Sequence, residues 1–161
     1  MSISMERILK HMSWANQAIY AKLQELPDEA LKAYISNPDW TVGEIARHIA
    51  SSNDWYGFRL SGKQYVDFER PTNMQDLAEI ARLSLDFDLH LIEQARFPEG
   101  EVTFSRDGQE FKRFRSTILS QAVHHYTEHR AQLVTALDYR GFKSINLDDY
   151  DLWSFEAMER K

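Results

Sequence analysis

The hydrophobic residues of this chain recur at spacings of three and four in four long segments. This spacing places apolar side chains along one face of an α-helix. The first segment runs from about Ser4 to Leu26 and is followed by Pro27, a residue that does not continue a helix. Its apolar positions are Ile8, Met12, Ala15, Ile19, Leu23 and Leu26. We therefore predict a first amphipathic helix with a polar outer face.

Two capping motifs predict where the second and third helices begin. In a capping box, a threonine hydroxyl and an acidic or amide side chain three residues later each accept a hydrogen bond from a free backbone N–H. Residues 41–44, Thr-Val-Gly-Glu, fit this motif and open a second helix that runs to about Leu60. Residues 72–75, Thr-Asn-Met-Gln, offer a second capping box and open a third helix that runs to about Arg96.

A hairpin signal separates the third helix from the last one. Asp107 and Gly108 stand between two alternating runs, 102–104 and 110–112, and an Asp-Gly pair in this position is typical of a tight β-turn. We expect a small, peripheral two-stranded ribbon. A fourth helix is predicted from near Ser116 to Arg140, because apolar periodicity resumes there and a glycine follows.

The C-terminal segment 142–161 mixes aromatic and acidic residues. We expect it to fold back against the helices through its aromatic side chains, which are Tyr150, Trp153 and Phe155. At 161 residues, the chain is long enough for one core and too short for two ordinary ones. The pattern thus predicts a single all-α domain over residues 1–161, a four-helix bundle with a small peripheral β-hairpin before the last long helix.

Composition narrows the possible partners. The net charge of −6 disfavours nucleic-acid binding, which usually needs a basic face. The absence of cysteine excludes disulfides, thiolate metal ligands and a cysteine nucleophile, so any metal must use nitrogen and oxygen ligands. Neither an apolar run of roughly 20 residues nor a secretory signal is visible. We expect a soluble, cytoplasmic protein with no nucleic-acid or membrane partner.

The last predicted helix carries three histidines, His124, His125 and His129. At about 100° per residue, His125 and His129 share an apolar stripe, whereas His124 lies among polar residues and is expected to be exposed. Rings four residues apart are roughly 6 Å apart along the helix axis, so both can reach one ion between them. The alternative is a pair of buried neutral histidines whose ring nitrogens need other partners. The pair alone leaves both interpretations open.

A third ligand would have to come from another helix. His48 is the best candidate, because it shares a stripe of the second helix with Ile45, Ser52 and Trp55. His11 and His90 also lie on apolar stripes of their helices, and periodicity excludes neither. A lone histidine on such a face is more often structural than ligating.

Two acidic residues lie close to these histidines in the sequence. Glu44 stands one turn before His48, and Glu128 directly precedes His129. Either is a candidate for a general base or for a partner of a ligating ring. We expect Glu44 to be used by the helix cap and Glu128 to face solvent.

Three motifs together resemble the DinB/YfiT-like family of metal-binding four-helix bundle proteins. They are Ser13-Trp14-Ala15-Asn16-Gln17, Ile45-Ala46-Arg47-His48-Ile49 followed by Trp55, and His125-x-x-x-His129-Arg130-x-Gln132. The resemblance covers nearly the whole chain. The family commonly carries glycine where this sequence has Ala131, a departure that concerns helix packing more than ligation.

The resemblance implies an up-down-down-up bundle in which His48, His125 and His129 bind one divalent metal ion, with nickel or zinc as the leading candidates. Three nitrogen ligands leave coordination positions open, as in catalytic sites. The implied function is a metal-dependent enzyme that activates a low-molecular-weight thiol cosubstrate, as in an S-transferase, or water, as in a hydrolase. The alternative is a non-catalytic, stress-associated metal-binding dimer.

A homodimer is expected on either interpretation. Family members often pair through helix faces, and the chain has more aromatic residues than one core needs. The tryptophans that are candidates for burial between subunits are Trp14, Trp40, Trp55 and Trp153.

Overall fold

The computed structural model describes residues 4–143 and 145–161, and across these ranges the protein is mostly helical. The five α-helices of these ranges are α1 (Met5–Gln24), α2 (Val42–Ser61), α3 (Met74–Gln94), α4 (Arg115–Tyr139) and α5 (Leu152–Glu159). Strands β1 (Glu101–Arg106) and β2 (Gln109–Phe114) form a two-stranded antiparallel sheet. Short 3₁₀ turns occupy Asp28–Lys32 and Leu147–Tyr150. The predicted helical class and the small sheet before the last long helix are therefore confirmed.

The capping residues only partly match the prediction. The Thr41 hydroxyl caps α2 by accepting a hydrogen bond from the Glu44 backbone N–H at 3.3 Å. The Glu44 carboxylate does not complete the box, because it accepts hydrogen bonds from Arg47 and Arg70.

At the start of α3 the cap is Asn73 and not Thr72, so the predicted register was wrong by one residue. The Asn73 side chain accepts a hydrogen bond from the Asp76 backbone N–H at 2.9 Å. The Asp76 carboxylate in turn accepts hydrogen bonds from the Thr72 backbone and hydroxyl. An acidic side chain in the first turn also interacts favourably with the helix dipole, which favours this register over one that would use Gln75.

The four long helices enclose one apolar core. Helix α1 packs against α3 and α4, and α2 packs against the same two helices. Among the apolar side chains with almost no exposed surface are Leu9, Met12, Leu23, Ile45, Leu77, Leu91, Leu133 and Leu137. They come from all four long helices, so these helices share one core.

A buried polar cluster crosses this core. The Asp88 carboxylate accepts hydrogen bonds from Asn16 at 2.9 Å and from Asn53 at 2.7 Å, and the same Asn16 amide donates to Ser84. Burial raises the pKa of Asp88 to about 7, although the hydrogen bonds from Asn16, Asn53 and Ser13 oppose the rise. The cluster links α1, α2 and α3 at one level.

The hairpin matches its sequence signal and is longer than predicted. Arg106 pairs with Gln109, so Asp107 and Gly108 form the turn between them. Both turn residues have positive φ, 52° and 76°, as a two-residue type I′ turn requires. Arg59 of α2 holds the hairpin against the bundle by donating a hydrogen bond to the Ser105 carbonyl at 2.7 Å.

The C-terminal segment folds back as expected for two of its three aromatic residues. Phe155 is buried against the rings of His11 and Trp14, and the Tyr150 ring lies 6.0 Å from the Trp14 ring. Trp153 is 82% exposed, so its predicted packing is wrong. In α5, Trp153 precedes Phe155 by two residues, about 200° around the helix, and therefore faces away when Phe155 faces inward.

Within the ranges described, no helix is both long enough and apolar enough to span a bilayer. The expected cytoplasmic location stays a prediction.

Candidate metal centre

Three histidine side chains from two helices meet beside the core. His48 comes from α2, and His125 and His129 come from successive turns of α4, which packs against α2. The Nε2 atom of His125 lies 3.0 Å from His48 Nε2 and 3.1 Å from His129 Nε2. Their potential ligand atoms all lie within 4.8 Å of one another. The structure thus brings together the three residues selected from the sequence.

These spacings fit a common cation. With zinc–nitrogen bonds of about 2.0–2.1 Å, two ligands at right angles are about 2.9 Å apart and two tetrahedral ligands about 3.4 Å apart. The observed 3.0 and 3.1 Å separations fall between these values. The donor atoms are all imidazole nitrogens, which suit zinc, nickel, copper and iron. The cluster could therefore hold a divalent metal ion.

Burial keeps two of the three rings neutral, the form that can bind a metal. Desolvation, followed by the nearby His129 and His48 rings, lowers the pKa of His125 to about 4. Desolvation and the same His129 ring also lower the pKa of His48 below its ordinary value. Near neutral pH both rings therefore carry a free lone pair without first losing a proton.

Gln132 orients the third ring. His129 Nδ1 lies 2.9 Å from Gln132 Oε1, and the Trp40 indole N–H donates to the same oxygen at 3.0 Å. An amide oxygen only accepts, so His129 must carry its proton on Nδ1, which leaves the Nε2 lone pair directed at the cluster. Gln132 is part of the last sequence motif, but the sequence alone did not reveal this contact.

Trp40 also covers the cluster. Its ring centroid lies 5.2 Å from that of His48 and 5.4 Å from that of His129, with edge-to-face geometry in both cases. On another side, the Tyr56 ring lies 5.9 Å from the His125 ring. These aromatic neighbours limit the movement of the imidazoles and lower the local dielectric.

One side of the cluster opens into a cavity of about 290 Å³, which we call the His48 cavity. Its wall combines polar and aromatic side chains, among them His48, Ser51, Ser52, Trp55 and Tyr65. A small molecule in this space would meet the exposed side of a ligating ring. The arrangement resembles catalytic metal sites, in which three protein ligands leave room for a further ligand.

The other histidines lie elsewhere. His11 Nε2 is 2.9 Å from the Tyr150 carbonyl oxygen, which ties α1 to the C-terminal segment. His90 Nε2 is 2.9 Å from the Ser61 hydroxyl at the end of α2. His124 is exposed, as its polar stripe predicted. His11 and His90, both left open by periodicity, thus have structural hydrogen bonds outside the cluster.

Neither acidic candidate is placed to act as a base. Partial burial would raise the pKa of Glu44, but hydrogen bonds from Arg47 and Arg70 outweigh this effect and lower it below its ordinary value. The Glu44 carboxylate is thus held as an ion in a salt-bridge network and not at the helix cap. Glu128 is exposed on α4, as expected.

Comparison with known proteins identifies related sequences. The chain is similar to "Protein DinB" of Bacillus subtilis (strain 168), with 24% identity over 166 aligned positions that cover 96% of each chain. No solved structure gives a significant match. A family model described as "DinB family" matches residues 1–159. Because this match spans nearly the whole chain, the protein belongs to the DinB family.

Proposed function

We propose that this protein is a metal-dependent enzyme that uses a low-molecular-weight thiol as cosubstrate, in the manner of an S-transferase. The observation that carries the proposal is the convergence of three imidazole Nε2 atoms beside an open cavity. Zinc and nickel are the metals we propose, because both accept an all-imidazole ligand set.

Each residue has a defined role in this proposal. His48, His125 and His129 hold the ion. Gln132 keeps the proton of His129 on Nδ1, so that Nε2 is free to bind the ion. A bound divalent ion supplies a positive charge that lowers the pKa of a coordinated thiol or water towards neutrality. The His48 cavity admits the thiol, and the electrophile approaches from the same open side. In the transfer, the thiol releases its proton to solvent and its sulfur bonds to an electrophilic carbon. The bond from that carbon to the leaving group breaks, and the leaving group departs with the electron pair.

Neither of the two acidic candidates is available as a base, and this favours a thiol over water. Hydrolysis at metal sites commonly uses a nearby glutamate as general base. Here Glu44 is engaged by two arginines, and Glu128 points to solvent. A thiol is already far more acidic than water, so the positive charge of the ion is sufficient to ionise it. Hydrolysis remains the related proposal within the enzyme class.

A second candidate is a non-catalytic metal-binding dimer. It is favoured by the exposed apolar side chains of α5, where Leu152 is 46%, Trp153 82% and Met158 42% exposed. Tryptophan is enriched at protein interfaces, so a contact between subunits at α5 would bury Trp153 and its apolar neighbours. The homodimer expected from the sequence is thus also proposed, with α5 as its contact.

We further propose that the chain forms one domain with the up-down-down-up topology. Contacts between Asn16 and Asp88, between Gln17 and Ala81, and between Glu6 and Arg96 support antiparallel α1 and α3. Contacts from Asn53 to Asp88 and from Ser61 to His90 support parallel α2 and α3.

The enzymatic proposal is tested by thiol transfer to the electrophile monobromobimane. Protein loaded with zinc or nickel is mixed with a panel of cellular thiols, and the rate of conjugate formation above that of buffer is measured. We expect a rate enhancement with at least one thiol and its loss in His125→Ala. The matched control is His124→Ala, which removes an exposed neighbouring imidazole and should retain the activity. Equal rates for wild type, His125→Ala and buffer across the panel would contradict the transferase proposal.

A further inference from the structure

A second cavity, which we call the hairpin cavity, lies between α2, the β-hairpin and the start of α4. It has a volume of about 210 Å³. Its wall includes Trp55, Arg59, Phe104, Arg113, Thr117 and Gln121. The proposed metal site uses none of the residues of the hairpin.

Arg59 is the central side chain of this wall. Its guanidinium carbon lies 4.6 Å from the centroid of the Trp55 ring and 4.7 Å from that of Phe104, so the two rings hold it in place. One terminal nitrogen donates to the Ser105 carbonyl. The Nε atom is buried and, among the residues that the structure describes, has no hydrogen-bond acceptor. A buried donor of a charged group without an acceptor is destabilising, and an added acceptor would relieve it.

The charge of the cavity is positive. Arg59 and Arg113 both line it, and no aspartate or glutamate contributes to its wall. Over the described ranges, neither arginine forms a salt bridge with a carboxylate. Two unneutralised guanidinium groups in a chain of net charge −6 indicate a local preference for an anion. The planar fork of arginine matches a carboxylate in particular.

The size and the apolar walls of the cavity define the rest of the ligand. An engineered protein cavity of about 150 Å³ accommodates benzene, so about 210 Å³ is sufficient for one aromatic ring with a short carboxylate arm. The Trp55 and Phe104 rings offer faces and edges for contact with a flat apolar body. Thr117 and Gln121 add polar side chains at the α4 wall.

The hairpin cavity adjoins the metal centre. Trp55 and Tyr56 belong to the walls of both the hairpin cavity and the His48 cavity. The Tyr56 ring also contacts the His125 ring, with centroids 5.9 Å apart. A molecule that occupies the hairpin cavity is therefore separated from the histidine cluster by only one layer of aromatic side chains.

We propose that the hairpin cavity binds an aryl carboxylate, with the carboxylate on Arg59 and Arg113 and the aromatic ring packed against the apolar wall of the cavity. Binding at this site does not require the metal. The inference thus names a ligand class, aromatic acids, for a cavity that adjoins the histidine cluster.

Phenylacetate is the probe for this site, and its neutral analogue 2-phenylethanol is the matched ligand control. Binding is measured by isothermal titration calorimetry on the full-length protein, both wild type and the His48→Ala, His125→Ala double variant. We expect phenylacetate to bind at least tenfold more tightly than 2-phenylethanol, with the same Kd in the double variant. Arg113→Gln should raise the Kd about tenfold, and Arg82→Gln, an exposed arginine of α3, should leave it unchanged.

Arg59 also supports the hairpin, so weaker binding in Arg59→Gln could reflect a change in the fold. A separate variant, Thr117→Trp, leaves Arg59 in place and fills the cavity from an exposed position of α4. Both variants should weaken phenylacetate binding at least tenfold. Equal affinity for the acid and the alcohol, or a Kd that none of the cavity variants changes, would overturn the inference. Phenylacetate binding with no thiol transfer would reject the enzymatic proposal alone, and thiol transfer without phenylacetate binding would reject the hairpin-cavity inference alone.

Discussion

Replacement of Gln132 by leucine tests how the structure prepares the histidine cluster. Gln132 Oε1 is the acceptor for both His129 Nδ1 at 2.9 Å and the Trp40 indole N–H at 3.0 Å. Leucine is similar in size but accepts no hydrogen bond, so the His129 ring loses the contact that sets its proton and its orientation. Loss of such a partner typically reduces metal affinity 10- to 100-fold, which is about 1.4–2.7 kcal/mol. The two half-buried donors left without an acceptor should also lower the free energy of unfolding by about 1–2 kcal/mol.

The assay is a competition titration in which a chromophoric chelator and the protein share Zn²⁺. Wild type, Gln132→Leu and Gln132→Glu are compared at the same pH. The glutamate variant keeps an acceptor oxygen and adds a negative charge behind the ring, so its affinity should equal or exceed that of wild type. If folded Gln132→Leu bound Zn²⁺ as tightly as wild type, the role assigned to this hydrogen bond would be refuted.

Three further predictions concern the rest of the fold. Asp88 stays protonated in the folded state up to about pH 7, whereas in the unfolded state it ionises near its ordinary pKa of 3.8. The free energy of unfolding should therefore fall as the pH rises between these two values, by on the order of 4 kcal/mol at most. Urea unfolding at pH 4.5 and 7.5 should show that Asp88→Asn lacks this loss, and identical pH dependences would contradict it. In Gly57→Ala the new Cβ would stand 2.7 Å from His90 Cδ2. Thermal unfolding should show that this variant is destabilised by about 1–2 kcal/mol and that the added change His90→Ala restores the stability. Full stability of Gly57→Ala alone would contradict this packing. Light scattering should find a dimer for wild type and a shift towards monomer for Trp153→Ser, whereas a monomeric wild type would reject the α5 contact.

Helical periodicity was sufficient to locate the four long helices, because their apolar faces extend over five or more turns. The Asp107-Gly108 pair likewise located the hairpin. A type I′ turn needs positive φ at both of its central residues, and Asp-Gly is one of the few pairs that favour this conformation. The short helix α5 could not be predicted in the same way. Its eight residues make little more than two turns, and the outward Trp153 is as apolar as the buried Phe155. The cap of α3 was misassigned because Thr72 and Asn73 are both strong capping residues, and only the position of Asp76 distinguishes them.

The histidine site was also predicted only in part from helical periodicity. Spacing within α4 identified His125 and His129 as a pair and His124 as exposed. It favoured His48 as the third residue but could not exclude His11 or His90, because a helical face indicates the inward direction but not which residues of two helices lie at the same height. The resemblance to the DinB/YfiT-like family made that choice, and the contact of His48 with His125 agrees with it. Gln132 follows His129 by three residues, a spacing that places it on the same side of α4 and could have indicated their contact.

The proposed function depends on the binding of one divalent ion between imidazoles from α2 and α4. Its most direct test is elemental analysis of protein purified without a metal-affinity tag, loaded with Zn²⁺ or Ni²⁺ and then dialysed. We predict about one ion per chain in wild type and in His124→Ala, and almost none in the His48→Ala, His125→Ala double variant. Equal metal content in wild type and in the folded double variant, or no stoichiometric metal in wild type, would contradict metal binding by these histidines.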